Sequence, residues 1–247
     1  MKKKKNYSLA NRVLKYEDSS NVVLTPKETA IIKIVAKGID RLDLYEKQMW
    51  EDFETCLMRI APQIASAEFI YHHGNETYIL LKDYSTWVQE QYMQGNIQKI
   101  VSSVVSKMTM FYYTKSGRFV EFSARCFSIP RAEVLNYFVW KQKEAIKNCI
   151  NHYASLYYSE QELAGQKIDD RIDLLFKKNV EWYSFPDHVQ RGFAIVRDAL
   201  ELPLDMPTEQ STFYSTEEAT TIVRKKWMLD EQIPLFHEEP IYITDIL

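Results

Sequence analysis

The stretch 70-IYHHGNETYILL-81 holds the first residues that could do chemistry. An apolar run enters, the chain turns at Gly74, and a second run leaves, which is the pattern of a β-hairpin. One acid, Glu76, stands just past the turn, and the residue before it is an amide, Asn75. Two adjacent carboxylates at such a tip would suit magnesium, which prefers hard, charged oxygens in octahedral geometry. Here only one is present.

Other reactive side chains are scattered. His72 and His73 precede the turn, but neighbours in a strand point to opposite faces and do not easily share one ion. They are expected as surface histidines of the turn region. Cys56, Cys126 and Cys149 form no CxxC pair, so they signal neither a zinc site nor a disulfide framework. Free thiols in a reducing cytoplasm are the expectation. Lys141, Lys143 and Lys147 lie on one predicted helix, either as an RNA contact or as a solvated face. Tyr153, Tyr157 and Tyr158 follow at helical spacings and read as core or subunit interface rather than a base-stacking platform.

Composition narrows the classes. The chain has 247 residues, 46% hydrophobic and 26% charged, with a net charge of -3, so it is neither disordered nor globally basic. Only six glycines are present, which argues against a glycine-rich phosphate loop. No apolar run approaches the roughly 18 residues of a membrane span. The MKKKK start lacks a following apolar region, so a cytoplasmic protein without a signal peptide is expected. Those lysines read as a frayed, solvated terminus or as a phosphate-binding arm.

These residues must be positioned by the elements around them. The run 30-AIIKIVA-36 is β-branched and apolar, a short buried strand. Met49, Phe53, Leu57 and Ile60 recur at helical spacing over 46–60, stopped before Pro62. The hairpin 66–71 and 77–82 follows, then a predicted helix over 86–108 and a strand over 119–129. Strand, helix, strand, strand, helix, strand is the βαββαβ order of a ferredoxin-like α+β fold, with an antiparallel sheet and both helices on one face. Beyond it come helices over 131–156 and 168–178, a short helix capped by Ser159 with Glu162 as a capping box, a polar loop over 205–220, and a strand running into an extended tail over 222–236. The division is thus a lead-in over 1–29, a palm-like domain over 30–130 and a helical C-terminal region with a tail over 131–247, packed on the palm. Polymerase and cyclase palms use this fold, and set acids at the end of the first strand and at the hairpin tip for two metal ions.

Longer motifs add a family resemblance. The segments 122-FSARCFSIP-130, 136-NYFVWKQKEAIKNCIN-151, 159-SEQELAGQ-166 and 179-NVEWYSFPDHVQRGFAI-195 occur in order, preceded by 11-NRVLKYE-17 and 96-NIQKIVSSVVSKMT-109. Together they resemble the histidine-tRNA guanylyltransferases and their bacterial and phage-type relatives, polymerases that add nucleotides in the 3′-to-5′ direction. The resemblance spans nearly the whole chain.

The departures fall on the chemistry. The resemblance sets Val35 where the family's first metal-binding aspartate stands, and Asn75 where the second stands, leaving Glu76 as the retained acid. Ser123 replaces the aspartate of the FDAR motif, and Ile146 falls where some members carry a histidine. Matching polar positions are Lys37, Lys99, Ser102, Arg125, Gln142 and Asn148, implied as nucleotide- or phosphate-binding, with Lys99 and Arg125 on phosphate. A shifted alignment would bring Asp40 into the metal position, at the cost of an insertion in the strand.

Three functions follow as expectations. The first is a catalytically degenerate homologue, a pseudoenzyme that binds a nucleotide, a tRNA or an active family partner, as a homo-oligomer or hetero-oligomer. The second is an active tRNA nucleotidyltransferase with a rearranged metal site built on Glu76 with Asp40 or Asp43, using Mg2+ and GTP or ATP. The third is a nucleotide-binding sensor or sequestering protein using Lys99 and Arg125. For the first, no cofactor is expected.

Overall fold

The structure, a computed structural model, describes residues 13, 21–40, 42–82, 91–203 and 221–247, with backbone only at 198–203 and 221–224. The N-terminal lysines, the 11–17 motif and the loop 205–220 lie outside these residues.

Strand β1 (Thr29–Lys37) is the β-branched run, and its side chains alternate between two faces. Ile32, Ile34 and Ala36 face one core. Ile31 faces another, and Lys33 and Val35 share its side. Helix α1 (Lys47–Ile60) buries Met49, Trp50, Phe53, Cys56, Leu57 and Ile60 in the first core. The hairpin forms from β2 (Ala67–His73) and β3 (Glu76–Leu81), with Gly74 at φ 57°, a left-handed turn conformation that glycine adopts without a Cβ penalty. Helix α2 (Ile97–Ser116) starts eleven residues later than the periodicity predicts and runs eight further. Asn96 caps it by accepting from the Lys99 backbone N–H. The chain at 92–95 is a separate short turn with Met93 and Gln94 at positive φ, and 83–90 lie outside the described residues.

Strand β4 (Glu121–Ile129) completes the unit, and β1, β2, β3 and β4 assemble in the order β4-β1-β3-β2, all antiparallel, as a ferredoxin-like palm. The sheet then continues through β5 (Phe193–Pro203) and β6 (Thr221–Asp230). The C-terminal part of the chain is therefore not wholly helical, and β5 is a strand that its residue pattern does not announce. Periodicity failed at β5 because Phe193, Ala194, Ile195 and Val196 form a continuous apolar run, buried in part on both faces rather than alternating.

Helix α3 (Arg131–Tyr157) covers the second face of the sheet. Its first half puts Val134, Phe138 and Ala145 against Phe69, Tyr71 and Tyr78, and its second half adds Cys149, Ile150 and Ala154 to the first core. The helix thus passes beside the hairpin tip. Helix α4 (Glu160–Leu163) forms with the Ser159–Glu162 capping box, and α5 (Ile168–Phe176) and α6 (Asp187–Arg191) follow. The tail beyond β6, with α7 (Ile241–Thr244), lays Ile233, Phe236 and Ile243 into the second core. All three cysteines are buried, and none is in a disulfide. No helix among the described residues is long and apolar enough to cross a membrane.

Candidate functional site

The ladder registers Val35 of β1 opposite Glu76 of β3 on one side and Ser123 of β4 on the other. Two residues back, Lys33 lies opposite Tyr78 and Arg125. Lys33, Val35, Lys37, Ser123 and Arg125 line a cleft of about 410 Å³ on this side of the sheet. The strand carries no insertion, so Asp40 does not enter it. Asp40 instead accepts the Leu42 backbone N–H at 2.8 Å, and Asp43 pairs with Arg118 at 2.9 Å. Neither supplies the acid that Val35 lacks.

Glu76 is held by two side chains that the motif comparison did not single out. Its carboxylate forms an ion pair with the Lys33 ammonium and accepts a hydrogen bond from the Tyr78 hydroxyl. Partial burial pushes the Glu76 carboxyl up, but Lys33, the Tyr78 hydroxyl and the charge of Lys141 outweigh it and hold it below the usual range. Burial, with the adjacent carboxylate, pushes the Tyr78 phenol far above its ordinary value, so it remains a donor. A lysine inside 30-AIIKIVA-36 was the available signal, since a charged residue in a buried strand requires a partner.

Asn75 is turned inward. Its Nδ2 donates to the Ala36 carbonyl at 3.0 Å, and its own carbonyl accepts the Ala36 N–H at 2.8 Å, tying the hairpin tip to the end of β1. A magnesium site at the tip would therefore draw on one carboxylate already occupied by a cation, an amide directed at the backbone, and a valine. Among the described residues no three His, Cys, Asp or Glu side chains are grouped to hold a metal. This donor set does not fit a two-metal centre.

The remaining predicted residues fall in three places. Asn148 joins Lys141, Glu144, Tyr45, Asn75 and Glu76 around a cleft of about 240 Å³ at the hairpin tip. Lys99 and Ser102 line a different cleft, of about 590 Å³, with Gln91, Met93 and Gln94 at the start of α2. Because α2 packs on the Ile32 and Ile34 face of the sheet, Lys99 and Arg125 lie on opposite sides of it and do not form one phosphate surface. Gln142 is buried, and both ends of its amide grip the tail. Nε2 donates to the Pro234 carbonyl and Oε1 accepts the Phe236 N–H, each at 2.9 Å. Ile146 packs at the edge of the first core.

Two expectations about single residues are corrected. His72 and His73 are buried, not surface residues. The sheet is covered on both faces at this level, so alternation removes both rings from water: His72 stacks on Phe53 and bonds Thr77 at 2.8 Å, and His73 packs against Tyr45. Burial pushes His73 down to about 4 and His72 well below its ordinary value, so both are neutral. Lys141 is not on a solvated face either. It is buried along α3, 3.1 Å from Glu144, whereas Lys143 and Lys147 are exposed. Tyr153 packs on Phe185, but Tyr157 is about half exposed.

Solved structures share this architecture. A bacterial tRNA(His) guanylyltransferase-like protein in complex with ATP superposes with a TM-score of 0.79 at 23% identity, over 97% of this chain and 99% of that one. A bacterial tRNA(His) guanylyltransferase-like protein in complex with GTP gives 0.77 at 22%, over 96% and 98%. The tRNA(His) guanylyltransferase of Saccharomyces cerevisiae gives 0.59 at 15%, over 71% of this chain and 88% of that one. No protein-family model matches the chain, and no curated protein matches it closely. The resemblance read from the motifs thus extends to the tertiary structure, and at these identities what it shows is the fold.

Proposed function

We propose that the chain is a catalytically degenerate nucleotidyltransferase-fold protein that acts by binding a nucleotide or the 5′ end of an RNA. The observation that carries this reading is the Lys33–Glu76 ion pair beside Val35 and Asn75. Phosphoryl transfer on this kind of palm rests on metal ions that clamp the triphosphate and on positioning. Here the retained carboxylate already has a cation, and the two neighbouring positions offer no charged oxygen. The basic sheet-side cleft persists, and it supports binding where turnover is not supported. The nucleotide complexes of the two bacterial structures favour this ligand class. An active family member as a partner, in a mixed oligomer, belongs to the same reading.

The test is nucleotide addition to 5′-labelled tRNA with ATP, GTP and Mg2+, beside a Val35→Asp, Asn75→Asp variant and the triple variant that adds Lys33→Ala. We expect no addition by the natural chain. Extension by the natural chain at a rate matching a working family enzyme would sink the degenerate reading and favour an active nucleotidyltransferase with acids from elsewhere.

A further inference from the structure

Lys33 and Arg125 face each other directly across the β1–β4 ladder. Like charges directly opposite in an antiparallel pair repel, because the Cβ atoms lie only about 5 Å apart. Lys37 stands four residues along the same face, two strand repeats or about 13 Å away with Val35 between, and lines the same cleft. The compensating acids are few. Glu76 holds Lys33 from the β3 side, and Glu121 reaches Lys37 only at 4.0 Å. The Arg125 guanidinium makes no hydrogen bond or ion pair with any described residue, its backbone alone being paired to β1. Three cations therefore border one concave surface with a deficit of negative charge, and the Ser123 hydroxyl lies among them.

From this geometry we infer that Lys33 is a tethered cation standing where the palm would hold metal, and that the cleft binds a triphosphate group without any divalent ion. The inference rests on the binding function proposed above and names how that binding is achieved. An ammonium carries three donors, of which Glu76 and its orientation leave others for a phosphate oxygen, while the Arg125 fork matches two oxygens at once. Bringing an anion between Lys33 and Arg125 relieves the repulsion that the free protein contains. A fixed side-chain cation also differs from a metal in that it cannot be removed by chelation. Triphosphate occurs both on free nucleotides and on RNA 5′ ends, and the shared group is what this cleft recognises.

The experiment is titration calorimetry in EDTA with ATP, inorganic tripolyphosphate, and a short RNA carrying either a 5′-triphosphate or a 5′-hydroxyl. The natural chain should bind at least one triphosphate ligand in EDTA, and added Mg2+ should not tighten that binding. Binding of ATP marks the nucleotide as the source, and binding of the triphosphorylated RNA alone marks the RNA end. The Lys33→Met, Glu76→Gln variant keeps the pair neutral and packed, and should lose about tenfold or more in affinity while its unfolding midpoint stays near that of the natural chain. Lys33→Arg should retain binding. Binding that appears only with Mg2+ would overturn the inference and leave the binding function standing. Equal affinity of the double variant in EDTA would overturn it too. No binding of any of these ligands, with or without Mg2+, would overturn both.

Discussion

Lys33 of β1 reaches diagonally across the ladder to Glu76 of β3, so that the acid retained at the hairpin tip faces an ammonium rather than open solvent. Tyr78, in register with Lys33, donates to the same carboxylate. The pair is partly buried, with Lys33 at 24% and Glu76 at 31% side-chain exposure, which is enough shielding for its loss to be felt. Lys33→Met alone should leave Glu76 half-buried beside a methyl group and cost about 1–2 kcal/mol, discounted for solvent screening. Adding Glu76→Gln should restore most of it, as read from urea unfolding midpoints at constant slope.

The same pair governs any attempt to restore metal binding. In the Val35→Asp, Asn75→Asp variant the carboxylate added at position 35 shares the face of β1 with Lys33, whose ammonium competes with the ion for it and for Glu76. Mn2+ affinity should therefore stay weak in the double variant and rise about tenfold or more when Lys33→Ala is added. Electron paramagnetic resonance of free Mn2+ measures this directly. Equal affinity in the double and triple variants would show that Lys33 does not compete.

Gln142 fastens the C-terminal tail through two hydrogen bonds in a buried setting. Gln142→Ala leaves the Pro234 carbonyl and the Phe236 N–H without that partner and should cost about 2–3 kcal/mol. Limited proteolysis should then cut within 231–247 sooner than in the natural chain. Unchanged proteolysis would mean that Phe236 and Ile243 hold the tail by apolar packing alone.

Buried neutral histidines set the acid limit of stability. His73 has a folded value near 4 against an ordinary 6.5, so the unfolded chain binds the proton more tightly between those values. Stability from this group is fully present above pH 6.5 and is lost as pH falls towards 4, by up to about 3 kcal/mol. His72 acts in the same direction. A stability profile between pH 7 and 4 should steepen below 6.5, and His73→Gln should flatten it.

Glu54 opposes this trend weakly. Burial, the neighbouring Glu231 and then Glu51 raise it to about 7, so the folded chain binds its proton more tightly than the unfolded one. Its contribution is present below about 4.5 and is lost as pH rises through 7. It is half-buried, so the effect should not exceed about 1 kcal/mol, and the histidines dominate below pH 6.5. Glu54→Gln should raise the unfolding midpoint at pH 8 and leave it unchanged near pH 4.

The amino-acid sequence alone determined the palm. The β-branched apolar run at β1, the period-two alternation at β4, the glycine turn at 74 and helical spacing through α1 are local signals, each carried by neighbouring residues. It also determined which acids were missing, because Val35 and Asn75 can be read by position. Tertiary structure decided what took their place. Lys33 and Glu76 are 43 residues apart in the chain and meet only because β1 pairs with β3 in one register. The packing of α2 on one face and the β1–β4 register put Lys99 and Arg125 on opposite sides of the sheet, and cover on both faces buried two histidines at a turn whose residues look solvent-exposed in isolation. The tail fixed by Gln142 depends on a contact across 92 residues. Such long-range contacts leave no local period, which is why the ion pair emerged only when the sheet was assembled, while β5 was hidden by a continuous apolar run buried on both faces.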